Sequence, residues 1–319
     1  MTNPYAPQDP YVPQGYLPPA NVYYQPQAGA DPNDPLINPP NFGINGWFAR
    51  VGGLFKRSWR SLLPIFAITH ILPVLGFAAI GVVAALAIGG SAMSWAASQS
   101  RVDPNTVDSP ELPDWLGFGL AALFGVILIL VVVFMIMQMV GYAAATYAAT
   151  REAIGQPVRL GEALSYGFKR SLGLAGWQIV VGLLILLGFV ACILPAFYVY
   201  AATALFGPIY LFERKEPIRR TFNIFNNNLG RVLGRLALIL AATIAASVIS
   251  NVFGLIGDVA TGYSDDPTLI IGSAVIGSLF GLVIQLPLTM FTFAGILLTY
   301  TEQRGYEGPV NSGHLAAEL

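Results

Sequence analysis

Three clusters of cationic residues recur at one point in the apolar pattern of this chain. They are Lys56, Arg57 and Arg60, then Lys169 and Arg170, then Arg219 and Arg220, each shortly before a long apolar segment. A Lys or Arg near an anionic leaflet contributes about 1 kcal/mol of attraction. The chemistry these residues offer is therefore electrostatic capture of anionic lipid headgroups; the plainer reading is that they only fix topology. A second set lies inside apolar segments: His70, Gln138, Gln178, Asn251 and Gln285. Polar groups at membrane depth are costly and mark pathways or interhelical hydrogen bonds. Only His70 among them is ionisable, and hydrogen bonding to a neighbouring helix explains it as well as a functional role does. Catalytic patterns are missing: the chain has no phosphate-binding glycine loop, zinc-protease helix or nucleophile elbow. One cysteine, Cys192, and two histidines give no disulfide and no metal site. No cofactor and no catalytic residue is expected.

The elements that must position these residues are membrane spans. Charged residues are 10% of the chain, against about 25% in soluble domains, and the mean hydropathy is +0.63. Six apolar segments are long enough to cross a bilayer: Leu62–Ile88, Trp115–Ala144, Leu172–Leu194, Pro195–Phe212, Val232–Ile256 and Leu269–Thr299. Segments three and four meet at Cys192-Ile193-Leu194-Pro195, which predicts a tight hairpin because proline ends one helix and opens the next. Pro73, Pro208 and Pro287 fall within spans, where they kink helices or free a carbonyl. Of the sixteen Lys and Arg residues, only Arg101 falls on the side that also holds Asp103, Asp108, Glu111, Asp114, Asp258, Asp265 and Asp266. The positive-inside rule then predicts cytoplasmic N- and C-termini in a cell membrane. The N-terminus lacks a basic start and an early apolar core, so the first span is expected to act as the insertion signal.

The clusters sit in a repeated context. Phe55-Lys56-Arg57-Ser58 and Phe168-Lys169-Arg170-Ser171 match, and Phe225-Asn226-Asn227-Asn228-Leu229-Gly230 follows more loosely. Apolar residues recur at helical spacing around each: Phe48, Val51, Phe55, Trp59 and Leu62; Leu160, Leu164, Phe168 and Leu172; Ile218, Phe222, Phe225, Leu229 and Val232. The fold class expected is an all-α integral membrane protein. Its six transmembrane helices would form three repeats of an interfacial amphipathic helix plus a transmembrane hairpin. Three regions follow. Residues 1–45 hold eleven prolines and five tyrosines and no Lys or Arg, the composition of a disordered cytoplasmic tail. That tail could be solubilising only, or dock a protein partner through Tyr5, Tyr11, Tyr16, Tyr23 and Tyr24. Residues 46–304 form the six-helix transmembrane domain, and 305–319 a short cytoplasmic C-terminal tail.

Ile193-Leu194-Pro195-Ala196-Phe197, Glu213, and the stretch from Arg220 to Leu229 are followed much later by Tyr300-Thr301-Glu302-Gln303-Arg304 and Glu307-Gly308. Together they resemble the membrane domain associated with glycerophosphoryl diester phosphodiesterases and related bacterial membrane families. The resemblance covers roughly residues 45–310. It implies a six-helix membrane fold without the metal-dependent catalytic domain that follows the membrane part in those enzymes, so no catalytic residue transfers. Thr221 stands where relatives often have Ser.

The function these features suggest is a non-enzymatic membrane scaffold or accessory protein. It would engage anionic lipid through Lys56, Arg57, Arg60, Lys169, Arg170, Arg219 and Arg220, and protein partners through its tail, with no nucleic-acid partner. The alternative is a transporter or flippase-like protein for a lipid or small amphiphile. A polar groove through the bundle favours transport, and a closed apolar interior favours a scaffold.

Overall fold

A computed structural model describes residues 31–81, 83, 114–261 and 267–319, and most of those residues are helical, with no strand among them. Six helical stretches are long and apolar enough to cross a membrane: Pro40–Gly81, Ala121–Ala153, Leu160–Ala191, Ile193–Phe212, Leu229–Val252 and Gly281–Glu307. The tail through residue 30, the loop carrying Arg101, and Asp265 and Asp266 lie outside the described residues.

Helix α1 spans Gly43–Phe66 and runs on through a π turn at Ala67–Ile71. Its buried residues Trp47, Val51, Leu54, Ser58, Leu62 and Ile65 fall three or four apart, which puts them on one face. The π turn has a local cause. Pro73 has no N–H to give the carbonyl four residues back, and the wider Leu72-to-Ala67 bond takes up the register just before it. Helix α2 (Asp114–Ala153) ends on Gly155, whose φ of 77° closes the turn, with the Gln156 N–H bonded back to the Arg151 carbonyl. Helix α3 (Leu160–Ala191) returns along α2. A Cβ at Gly167 would stand 2.5 Å from the Val140 carbonyl oxygen, so the two backbones nearly touch.

Cys192 is fully extended and joins α3 to α4 (Ile193–Thr203), which packs back against α3 as the predicted hairpin. Gly188 lies against the Ala196 backbone at that corner. The fourth crossing breaks at Ala204–Leu205 and resumes as α5 (Phe206–Phe212). The break sits four residues before Pro208, where a proline cannot bond the Ala204 carbonyl and its ring crowds it. Pro217 opens the short amphipathic α6 (Pro217–Asn227). Helices α7 (Leu229–Thr261) and α8 (Pro267–Glu307) pair with each other, and α9 (Ser312–Glu318) closes the chain.

The core is concentrated at one end, where the basic segments gather. Leu36, Trp47, Leu54, Ala148, Ile209, Phe225, Val232, Leu297, Tyr300 and Leu315 form a single buried cluster there. Farther along the helices, large apolar side chains such as Leu128, Ile129, Leu186 and Val190 point outward.

Four expectations change. Residues 31–45 do not all belong to a loose tail, because Leu36 and Ile37 are buried in the core. Residues 305–319 are likewise docked, through Leu315 and Ala316. The first two basic stretches are not separate interfacial helices: each is the first part of a long helix that continues into the span. Only α6 stands apart. The inward faces also differ from the apolar spacing. Phe48, Trp59, Phe168 and Leu172 point outward, while Leu54, Ser58, Ala163, Gly167 and Ser171 face inward. Close helix contact in an apolar setting selects small side chains, and large ones are left for lipid.

Candidate functional site

Two polar constellations stand out, one at the basic end and one deeper in the bundle. The first is an ion-paired cap. Glu302 has no exposed surface and accepts hydrogen bonds from Arg235 Nε at 3.1 Å and Nη2 at 3.0 Å. Asn38 Nδ2 donates to the same carboxylate at 2.7 Å, tying the segment before α1 to α8. Arg50 closes the group by donating to the Ile37 carbonyl at 2.6 Å, to the Pro32 carbonyl at 2.9 Å and to Asn38 Oδ1 at 3.1 Å. Asp34 accepts from the Ser312 backbone N–H at 2.8 Å and hydroxyl at 2.7 Å, so the first described residues clasp the last helix. A second knot lies beside it. Glu213 takes Arg220 Nε at 2.8 Å and the Tyr300 hydroxyl at 3.2 Å, Arg304 reaches Glu318 at 2.8 Å, and Arg220 also pairs with Glu307. Burial opposes charge on Arg220, but Glu307 and Glu213 outweigh it and hold the guanidinium pKa above its ordinary value.

The seven cations singled out for lipid contact are carried by three helices and share no carboxylate partner. Arg220 is engaged internally. Arg57 is half-buried near Glu152, and its Nε and Nη2 atoms have no hydrogen-bond partner among the described residues. Lys56 and Lys169 are exposed, and so are Arg60, which lies over the Trp59 ring at 5.5 Å, and Arg219, which pairs loosely with Glu216 at 3.4 Å. Arg170 lies over the Tyr166 ring at 5.9 Å. Exposed ion pairs of the Arg219 kind contribute little, which leaves these cations available to an external anion.

The second constellation brings together three residues that lie far apart in sequence. His70 on the π turn, Gln138 on α2 and Gln285 on α8 all line a cavity of about 320 Å³. Thr243, Thr289, Thr292 and Tyr142 add further polar groups, among Phe66, Leu288, Phe293 and Ile296. A second cavity of about 420 Å³ shares His70, Gln138, Gln285 and Thr289 and extends past Val74, Phe134 and Leu282. The Thr69 hydroxyl stands 3.2 Å from His70 Nδ1. Thr69 anchors the turn by donating to the Ile65 carbonyl at 2.9 Å, and its side chain fills the space that a Cβ at Gly141 would need. The Tyr142 hydroxyl is buried and has no hydrogen-bond partner among the described residues. Asn251 does not join the group; it is exposed and bonds the Ser247 carbonyl of its own helix. Gln178 does not line either cavity.

Reading residue types one by one missed the cap. Arg50, Arg235 and Arg304 look like topology signals, and nothing local marks them as paired. The available signal was the acids on the basic side: Glu213 and Glu302 sit among cations, at helix ends, where a partner is at hand. No protein-family model, no curated protein and no solved structure matches this chain.

Proposed function

We propose that this chain is a non-enzymatic multi-pass membrane protein that gathers anionic lipid at its basic end and serves there as a scaffold for partners. The observation carrying this reading is the pairing of exposed cations with outward-facing apolar side chains. Lys56 and Arg60 share α1 with Phe48, Trp59 and Leu63, and Lys169 lies beside Phe168 and Leu172 on α3. Such a surface buries its apolar part in acyl chains and keeps its charges at headgroup level. By the positive-inside rule this end, with both termini, is cytoplasmic in a cell membrane. The three basic segments are read as diverged copies of one unit, and the likeness to the phosphodiesterase-associated membrane domain supports the reading as a membrane module. The tail rich in proline and tyrosine supplies the partner-docking strip.

The test is lipid mass spectrometry on protein extracted with its surrounding bilayer. A variant with Lys56, Arg60, Lys169 and Arg219 changed to Gln removes the exposed cations and spares the paired Arg220. Selective loss of one anionic lipid, several-fold against the unaltered protein, is expected. An unchanged lipid profile in a correctly inserted variant would leave those charges a topological role only.

A transporter or flippase-like function for an amphiphile is the second reading. The cavity around His70, Gln138 and Gln285 favours it, since a scaffold has no need of a polar chamber between spans.

A further inference from the structure

We infer that the chamber between α1, α2 and α8 is a binding site for the uncharged, hydroxyl-bearing head of an amphiphile, with 1,2-diacylglycerol as the simplest member of that class. The inference goes beyond the charged rim at the other level of the bundle and uses none of its residues. Three observations carry it.

The two adjoining cavities share His70, Gln138, Gln285 and Thr289, and each has the size of a small-molecule pocket. Their lining contains amides, hydroxyls and one imidazole, and no Asp, Glu, Lys or Arg. A phosphate or ammonium head would enter such a site without a counter-charge, which membrane depth penalises heavily. A hydroxyl or ester carbonyl finds donors and acceptors on three sides, from His70, Gln138 and Gln285. The chamber also opens sideways. Val74, in the stretch to Gly81 that continues α1 past the π turn, and Gln285 on α8 both line it and are both exposed, so its mouth lies between those helices. The flanking Phe134, Leu282 and Leu286 continue the wall in apolar form, as an acyl chain leaving the head would require.

The experiment uses the full chain in lipid nanodiscs with a diazirine-bearing 1,2-diacylglycerol. Labelled peptides are mapped by mass spectrometry, and unlabelled diacylglycerol or phosphatidylglycerol is added as competitor. Saturable labelling of α1 and α8 peptides is expected, competed by diacylglycerol and at least tenfold less well by phosphatidylglycerol. Gln138→Leu with Gln285→Leu should reduce labelling about tenfold. Thr289→Phe, which fills the chamber and leaves the glutamines in place, should abolish it. The variant lacking Lys56, Arg60, Lys169 and Arg219 should label normally, which separates this site from the rim. Equal competition by phosphatidylglycerol overturns the inference without any variant, and so does labelling that never saturates. If Thr289→Phe abolishes labelling but the paired glutamine variant does not, the site selects by shape alone and the assignment to a hydroxyl head is wrong.

Discussion

Glu302 and Gln285 lie on the same helix, about 25 Å apart at the rise of an α-helix, and their surroundings differ in kind. Around Glu302 every charge has a partner: Arg235, Asn38 and Arg50 interlock, and α9 closes over them through Asp34 and Ser312. Around Gln285 uncharged polar groups face a chamber. Burying a charge is tolerable only with its partner in place, whereas removing one partner leaves a large uncompensated cost. The cap is thus a structural lock in which each polar group depends on the others. The chamber is lined by neutral groups, whose loss is expected to cost the fold far less than loss of a buried charge's partner.

The comparison is broken most directly at Glu302. Glu302→Leu strands Arg235 and Asn38, so a loss of about 3–5 kcal/mol is expected, read as early thermal unfolding in detergent. Adding Arg235→Met should recover much of that loss, because the uncompensated charge is gone. If the single variant is as stable as the parent, the cap is not a lock. Two glycines on α3 give the next contrast. Gly167→Ala drives a Cβ toward the Val140 carbonyl and should cost about 1–3 kcal/mol. Gly182→Ala has nothing within 4 Å of the added carbon and should stabilise by about 0.5–1 kcal/mol through helix propensity. Opposite signs in the same thermal assay would confirm that α3 packs tightly at Gly167 and not at Gly182. The smallest effect belongs to the chamber: Gln138→Leu with Gln285→Leu should shift stability by less than about 1 kcal/mol. A loss as large as that at Glu302 would make those amides structural.

The spans were legible because a bilayer imposes a length, and six apolar runs of that length leave little freedom. The hairpin at Cys192 was legible for a similar reason, since Pro195 allows few alternatives. Leu36 and Ile37 were not. Two apolar residues in a stretch rich in proline and asparagine are lost in its average composition, and only the groove that receives them makes them core. The inward faces were misread because apolar spacing finds the large residues, whereas helices in this bundle approach through Gly167, Ala163 and Ser171. The polar span residues could be found one at a time. That His70, Gln138 and Gln285 share a level, and that Gln178 and Asn251 do not join them, depends on how three helices are staggered, which no single segment encodes.

The α3–α4 corner has one more consequence. Cys192 is the chain's sole cysteine, exposed at the turn farthest along α3 from the basic segment that begins it. It is therefore a ready-made chemical reporter of orientation. The side from which an impermeant thiol reagent reaches it is the side of that turn, and because the hairpins alternate, one such modification assigns the direction of all six crossings with no residue altered.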